Sequence, residues 1–353
     1  MRYCIYVILL FIVIPVVAWS EDTAKTTTVS AGQSFNPDIS VIGDFLGHYS
    51  SNTKADNGYA LREVELGFSS YVDPYSRADA FLSIGEEKGE FKLEVEEAYF
   101  TFLTLPYNFQ MRVGRFRVDL GRVNAQHLHA LPWVKYPLML RTYSGGEGFA
   151  GDGVSINWLA PTEHYLEVTY QAFNNTPTTL SNADSGTINQ LLHLKNYWDL
   201  SDTSTLEVGL SGMRLPPAQD SNRIMVEGLD VIYRWRPTKE GKYHSFMWQA
   251  EALAAQKDGL IKEVKSQGMF TAVNYQFDER WFVGTRFDYS ELPDDASKQE
   301  REYSAYLTFT ESEYAFWRLG YSVTKSDIAE NNNDKQVFLQ LNIGIGPHRA
   351  HKY

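Results

Sequence analysis

Residues 336–345 read QVFLQLNIGI, and this stretch near the end of the chain decides the fold class. Apolar side chains occupy every second position from Val337 to Ile345, while Gln340 and Asn342 are among the residues between them. A period of two residues is typical of a β-strand with one apolar face and one polar face. We therefore take this stretch as a strand and look for others like it.

The same alternation recurs along the chain in segments of about ten residues, which is the strand signature of membrane barrels. Short turns alternate with longer polar connections and separate about 16 such segments, an even number with turns and loops at opposite ends. Soluble sandwiches also alternate, but they rarely need so many strands with aromatic residues at both ends of the apolar face. We predict an all-β fold, a closed antiparallel transmembrane β-barrel with an inward-folded long loop. Predicted connections include turns at 73–76, 105–108 and 311–313, and loops at 51–58, 118–147 and 292–300.

The first 20 residues have the three parts of a secretory signal peptide. Arg2 precedes an apolar run at 5–17, and the small residues Ala18 and Ser20 flank Trp19 before Glu21. The apolar run is shorter than the roughly 20 residues that a membrane-spanning helix needs. We expect residues 1–20 to be removed, which also removes the single cysteine, Cys4.

The rest of the chain is expected to form one barrel. A short periplasmic segment is predicted at 21–37, and the transmembrane barrel at 38–353. The terminal aromatic Tyr353 is typical of barrels recognised by the outer-membrane assembly machinery, although residues 347–352 interrupt that signal. From the signal peptide and the barrel pattern we expect the protein in a bacterial outer membrane, with lipid and this machinery as partners.

Charge and composition exclude several function classes. Acidic residues outnumber basic ones by 44 to 32, which gives a net charge of −12 and argues against binding to nucleic acid. The nucleophile motif Gly-x-Ser-x-Gly is absent from the sequence. We expect neither an enzyme nor a bound cofactor.

The longest connection, 118–147, is the candidate for a loop that narrows the pore. Its proline and aromatic residues favour an ordered loop packed on the barrel wall, and a long ordered loop is usually functional. Basic side chains lead into it and acidic ones lie on neighbouring segments, so we predict a constriction with opposed charges. The alternative is that these charges only solvate the loop ends. The candidate constriction residues are Arg112, Arg115, Arg117, Arg122, Glu94 and Glu96.

One further pattern in this loop concerns metal binding. His127 and His129 are two residues apart, so in extended backbone their imidazoles point the same way and could share one cation. His348 and His351 form a second, looser pair. Histidines solvated in loops are the alternative, and the sequence alone favours it.

Several stretches resemble porin-like outer-membrane proteins related to the phosphate-selective porins. The resemblance spans the chain after residue 20 and is densest before about residue 160. It implies a single porin barrel of 16 strands that is often trimeric. It does not extend to phosphate, because phosphate selection needs a ladder of basic residues and this chain has one local cluster. The matching stretches are 35–42 (FNPDISVI), 61–68 (LREVELGF), 72–75 (VDPY), 96–99 (EEAY), 105–106 (LP), 113–117 (VGRFR) and 121–124 (GRVN).

These observations predict a porin-like channel for passive diffusion of small polar solutes or ions. Two alternatives remain open from the sequence: a structural or adhesive barrel with a blocked lumen, and a porin linked to metal uptake. A conductance measurement in a planar bilayer distinguishes the first alternative from a channel, because a blocked lumen carries no current.

Overall fold

The computed structural model describes residues 37–52, 57–87, 90–146, 148–174, 178–181, 186–217, 221–259, 262–328 and 333–347. The predicted signal peptide and the pair His348 and His351 lie outside these residues. No helix among the described residues is long and apolar enough to cross a membrane.

Sixteen strands and a short helix, α1 (Leu138–Ser144), make up most of the described chain. The strands are β1 (Asp38–Ser50), β2 (Gly58–Asp73), β3 (Ser76–Glu87), β4 (Glu90–Leu105), β5 (Phe109–Arg117), β6 (Ala150–Leu159), β7 (Tyr165–Asn174), β8 (Ile188–Ser201), β9 (Ser204–Leu215), β10 (Ser221–Trp235), β11 (Ser245–Gly259), β12 (Glu263–Asp278), β13 (Trp281–Leu292), β14 (Asp295–Ser312), β15 (Ala315–Ser326) and β16 (Asn333–Ile345).

The strands close into a barrel in which each pairs with its neighbours in sequence and β1 pairs with β16. The closing pair is antiparallel and runs from Val41 opposite Ile345 to Ser50 opposite Gln336. Closure is required in a bilayer, because an unpaired backbone N–H or C=O in hydrocarbon costs several kcal/mol. The prediction of a closed antiparallel 16-stranded transmembrane barrel is confirmed.

The alternation seen in the sequence sorts side chains onto two faces. Along β16, Val337 and Leu339 are exposed on the outer face, while Phe338 and Gln340 are buried in the lumen. Aromatic residues lie at both ends of the outer face, as Trp281 and Tyr289 do on β13. An apolar outer band between aromatic belts is what a membrane barrel presents to lipid.

One end of the barrel carries mostly short turns, with a longer connection at 236–244 between β10 and β11, and the other carries most of the longer connections. We call them the turn end and the loop end. Some predicted loops are shorter in the structure, because strand pairing continues past the polar residues. The loop predicted at 292–300 is reduced to 293–294 between β13 and β14. Polar residues extend a strand at the loop end because they leave the hydrocarbon layer there.

Two β-bulges interrupt the wall at neighbouring positions. On β2 the pairing with β1 skips Arg62, and on β4 the pairing with β3 skips Glu96. A bulge puts two residues opposite one, so two consecutive side chains can point to the same side. Glu96 and Glu97 thus both face the lumen.

The connection between β5 and β6, residues 118–149, folds into the barrel; we call it the inner loop. Its apolar side chains pack on the inner wall of β8–β12 towards the loop end, which leaves little space there. The buried contacts join Val118, Leu120, Val123, Met139, Leu140 and Tyr143 to wall residues that include Leu191, Met213, Leu215, Ile224, Leu253 and Phe270.

Candidate pore constriction

The inner loop is anchored through its own backbone. The carbonyl oxygens of residues 133–135 accept hydrogen bonds from arginines of three different strands. The pairs are Arg318 Nη1 to Trp133 O at 3.2 Å, Arg62 Nη1 to Val134 O at 2.5 Å and Arg286 Nη1 to Lys135 O at 2.8 Å. Because the three strands lie on different parts of the wall, these bonds hold the loop across the lumen.

Lys135 adds a charged anchor on β14. Its Nζ lies 2.8 Å from Oε2 of Glu302. The same carboxylate forms ion pairs with Arg141 at 3.1 Å and with Arg286 at 3.3 Å. Burial lowers the pKa of Lys135 to about 8, and the raising effect of Glu302 offsets only part of this. The loop therefore carries a cation whose charge changes within an accessible pH range.

The start of the inner loop is tied to the opposite wall. Arg122 forms an ion pair of 2.6 Å with Glu207 of β9, and the N–H of Val123 donates to Glu251 of β11 at 2.9 Å. Gly121 has a φ of +66°, and a Cβ there would lie 2.6 Å from Oε2 of Glu251. Glycine is needed at this position for both its conformation and its close approach to the wall.

The strongest polar cluster lies where the loop meets β2 and β4. His127 is buried, its Nδ1 contacts Glu65 and its Nε2 lies 2.8 Å from Oε1 of Glu97. Glu96, next to Glu97 at the bulge, places Oε2 3.3 Å from Nδ1. Burial lowers the pKa of His127, but the hydrogen bonds to Glu65 and Glu97 outweigh it and raise the pKa to about 10. Without a competing cation, the imidazole is therefore protonated at neutral pH.

Two cavities lie on opposite sides of this cluster, one towards each end of the barrel. The loop-end cavity, about 320 Å³, is lined by Glu63, Glu96 and Arg117 among others. The turn-end cavity, about 790 Å³, is lined by residues that include His129 and Asn342. The cluster forms the partition between the two cavities.

A third, smaller space of about 40 Å³ lies between the start of the inner loop and β7–β10. Charged groups of both signs line it, including Glu167 and Lys195, which pair across β7 and β8, and Arg122. The apolar contacts described above cover the wall of β8–β12 on the loop-end side.

The structure brings three predicted constriction residues together. Arg117, Glu94 and Glu96 all line the loop-end cavity, and the guanidinium of Arg117 contacts the hydroxyl of Tyr136. Arg112 faces inward but is covered, with its guanidinium carbon 4.5 Å from the ring centre of Tyr99.

The two remaining arginines lie apart from this group. Arg122 is inside the lumen but on the β9 side, paired with Glu207. Arg115 lies on the outer face, where it pairs with the exposed Asp152 at 3.4 Å, so its placement in the constriction is wrong. It follows Gly114 on a strand without a bulge at this position, and alternation therefore directs it outward.

The histidine prediction needs a correction of another kind. The sequence favoured solvated loop histidines, yet His127 and His129 are both buried. The inner loop carries them into the lumen, where acidic side chains of the wall surround them. Sequence reasoning missed these wall residues, Glu63, Glu65 and Glu97, although the spacing of Glu63 and Glu65 by two places them on one face of β2.

No protein-family model matches the chain. An uncharacterised protein of Aquifex aeolicus (strain VF5) is 26% identical, and the alignment covers 91% of this chain and 81% of that protein. The anion-selective porin from Comamonas acidovorans superposes with a TM-score of 0.61 at 11% identity, covering 88% of this chain and 99% of that one. In-vitro folded OmpT, an outer membrane protein of Vibrio cholerae in its trimer form, superposes with a TM-score of 0.58 at 9% identity, covering 88% and 100%.

The fold is that of outer-membrane porins. A closed barrel of this kind with an apolar outer face is a protein of the bacterial outer membrane. At these identities the structural likeness describes the fold, and the solute has to be argued from the lumen itself.

Proposed function

We propose that the protein is an outer-membrane channel for passive diffusion of small polar solutes or ions. The observation that carries this proposal is the pair of cavities that lie towards opposite ends of the barrel, on either side of the Glu65 and His127 cluster. The constriction then lies between the β2 and β4 wall and the inner loop. Arg117 with Glu94 and Glu96 forms its loop-end entrance.

The charges at the constriction favour small cations over anions. Glu63 and Glu65 face the lumen from β2, and Glu96 and Glu97 from β4, on either side of β3. Phosphate recognition instead needs arginines or lysines along the path. The resemblance to phosphate-selective porins therefore concerns the barrel and not the solute. Carboxylates at a narrow, poorly hydrated point raise the local concentration of cations and repel anions.

A liposome-swelling assay tests the channel. Purified barrel in proteoliposomes should admit a small cationic amine faster than an uncharged sugar of similar size, and a small organic anion more slowly still. The control is the Glu96→Gln variant, which should reduce the cation preference without closing the channel. Swelling no faster than that of protein-free liposomes would reject the proposal.

A blocked lumen is the second candidate, and the apolar contacts between the inner loop and β8–β12 favour it. In that case the barrel would serve a structural or adhesive role. Swelling and conductance separate the two candidates, because a filled lumen passes neither solutes nor current.

Export and assembly complete the proposal. Residues 1–20 are proposed to direct secretion and to be removed, and residues 38–353 to form the barrel that the assembly machinery inserts into the outer membrane. A homotrimer is proposed as the assembled form, in line with the trimer form recorded for the Vibrio cholerae protein.

A further inference from the structure

Three buried side chains at the partition bring ligand atoms close together. Glu65 of β2 and His127 and His129 of the inner loop each offer one atom, and these atoms lie within 4.8 Å of one another. His129 Nδ1 is 3.7 Å from Oε2 of Glu65. Two imidazoles and one carboxylate are a donor set that Zn²⁺ and related divalent metals prefer.

The orientation of His127 is fixed for ligation by its other neighbours. Its Nε2 donates to Oε1 of Glu97 at 2.8 Å, and the other Glu97 oxygen accepts the backbone N–H of Arg117 at 3.2 Å. A carboxylate that holds one ring nitrogen directs the lone pair of the other towards the metal and raises its basicity. The Nδ1 atom of His127 is thereby aimed at Glu65.

The carboxylates around this point lie close together and share His127 as a partner. Oε1 of Glu65 is buried and has no hydrogen-bond partner among the described residues, and the Glu65 side chain is 1% exposed. Glu63, Glu65 and Glu96 form a second triad, in which one carboxylate oxygen from each residue lies within 4.8 Å of the other two. Carboxylates packed this closely require a proton or a metal cation between them.

We propose that Glu65, His127 and His129 bind one divalent cation of the Zn²⁺ class. The cation lies beside the neighbouring carboxylates of Glu63 and Glu96, whose oxygens approach that of Glu65 within 4.8 Å. Because His129 lines the turn-end cavity and Glu96 the loop-end cavity, the bound cation sits at the partition between them. Its effect on permeation rests on the proposed channel function, whereas binding itself does not.

Zinc binding to the folded, untagged barrel tests the site directly. Isothermal titration with ZnCl₂ should show one site per chain, and His129→Ala should weaken Zn²⁺ binding at least tenfold, as loss of a metal ligand or its support typically does. His193→Ala is the matched control: His193 is also buried in the lumen, 2.8 Å from Ser211, but lies on β8 away from the cluster. That variant and the His348→Ala, His351→Ala double variant should bind as the wild type does.

Folding and coordination are checked independently of affinity. Each variant is accepted only if it keeps the heat-modifiable mobility of a folded barrel, and His129→Gln replaces His129→Ala if the latter misfolds. Co²⁺ in place of Zn²⁺ should give d–d absorption bands in the wild type that weaken in the His129 variant. Absence of a Zn²⁺ site in the folded wild type, or an equal affinity in the His129 variant, overturns the proposal.

The test distinguishes this inference from the channel function. Conductance measured in chelated buffer reports the open channel alone, and micromolar ZnCl₂ should then reduce it in the wild type but not in His129→Ala. A conducting channel with no Zn²⁺ site would overturn only the inference. A Zn²⁺ site in a barrel that does not conduct would overturn only the proposed channel function.

Discussion

The Nζ atom of Lys135 lies 2.8 Å from the carboxylate of Glu302 and ties the inner loop to strand β14. The same carboxylate accepts Arg141, Arg286 and the hydroxyl of Thr324 at 2.9 Å, so one acidic side chain of the wall holds several cations of the lumen. We therefore expect the position of the inner loop to depend on this residue.

Glu302→Gln should destabilise the barrel by about 3–5 kcal/mol, the range measured when one partner of a buried ion pair is removed. The remaining cations lose their counter-charge, and the loop should detach locally before the barrel unfolds. Urea unfolding measures the free energy, and protease cleavage within 130–140 measures loop release. Glu300→Gln, two residues earlier on the same face, is the control and should change neither the free energy of unfolding nor the cleavage. If Glu302→Gln also leaves both unchanged, other residues hold the loop.

The lowered pKa of Lys135 predicts that ion selectivity changes with pH. Its pKa of about 8 is below the ordinary lysine value of 10.5 because the side chain is buried. Between these two values the unfolded chain binds more protons, so the contribution of this group to stability rises with pH in that window. In the channel, loss of its positive charge should shift the reversal potential towards cation selectivity between pH 7 and 9.5.

Lys135→Met should remove that shift, and Lys135→Arg should also remove it because arginine stays charged throughout the window. The two variants differ at pH 7, where only the arginine variant should resemble the wild type. A shift of equal size in all three proteins would assign the titration to another group.

Charge on the lipid face should prevent insertion, whereas charge in the turn-end cavity should not. Leu341 is central among the apolar outer positions of β16, and Leu341→Arg should cost roughly 2–4 kcal/mol near the bilayer midplane. Asn342 is its neighbour on the lumen side and lines the large turn-end cavity, so Asn342→Arg should be mild. Unfolding in lipid vesicles measures both; similar costs would mean that the two faces are assigned wrongly.

The orientation in the membrane is predicted from the turns and loops. We expect the turn end to face the periplasm, so a cysteine at the exposed Tyr75 should be protected from an impermeant thiol reagent in intact cells. A cysteine at the exposed Lys298, near the loop-end start of β14, should be labelled. Labelling at 75 but not at 298 would reverse the orientation. Ser181, on the longer β7–β8 connection, is a poor probe because it is buried.

Period-two alternation was sufficient to predict the barrel, its strand number and the faces of β13 and β16. The alternation arises because every strand has lipid on one side and the lumen on the other. Each strand therefore shows the same pattern of apolar and polar positions. Alternation does not report how full the lumen is. Gln340 is correctly placed inside by the pattern, but its contacts with Arg318 at 3.0 Å and with Asp44 appear only in three dimensions.

The site could be predicted only in part for the same reason. The sequence indicated an inward loop, the acidic residue Glu96 and the histidine pair, all of which are local signals. Glu65 and Glu97 are brought to His127 by the folding of a long loop across the barrel, and spacing along the chain carries no record of that contact. Arg115 was misassigned because a cluster of arginines in sequence was read as a cluster in space.

Single-channel recording in planar bilayers tests the central claim most directly. The folded wild-type barrel in chelated buffer should give discrete conductance steps with a cation-selective reversal potential. Glu96→Gln should conduct with reduced cation selectivity, and high salt should weaken the difference because screening shortens the reach of the charge. A folded, inserted barrel that gives no conductance steps would contradict the account and show that the inner loop closes the lumen.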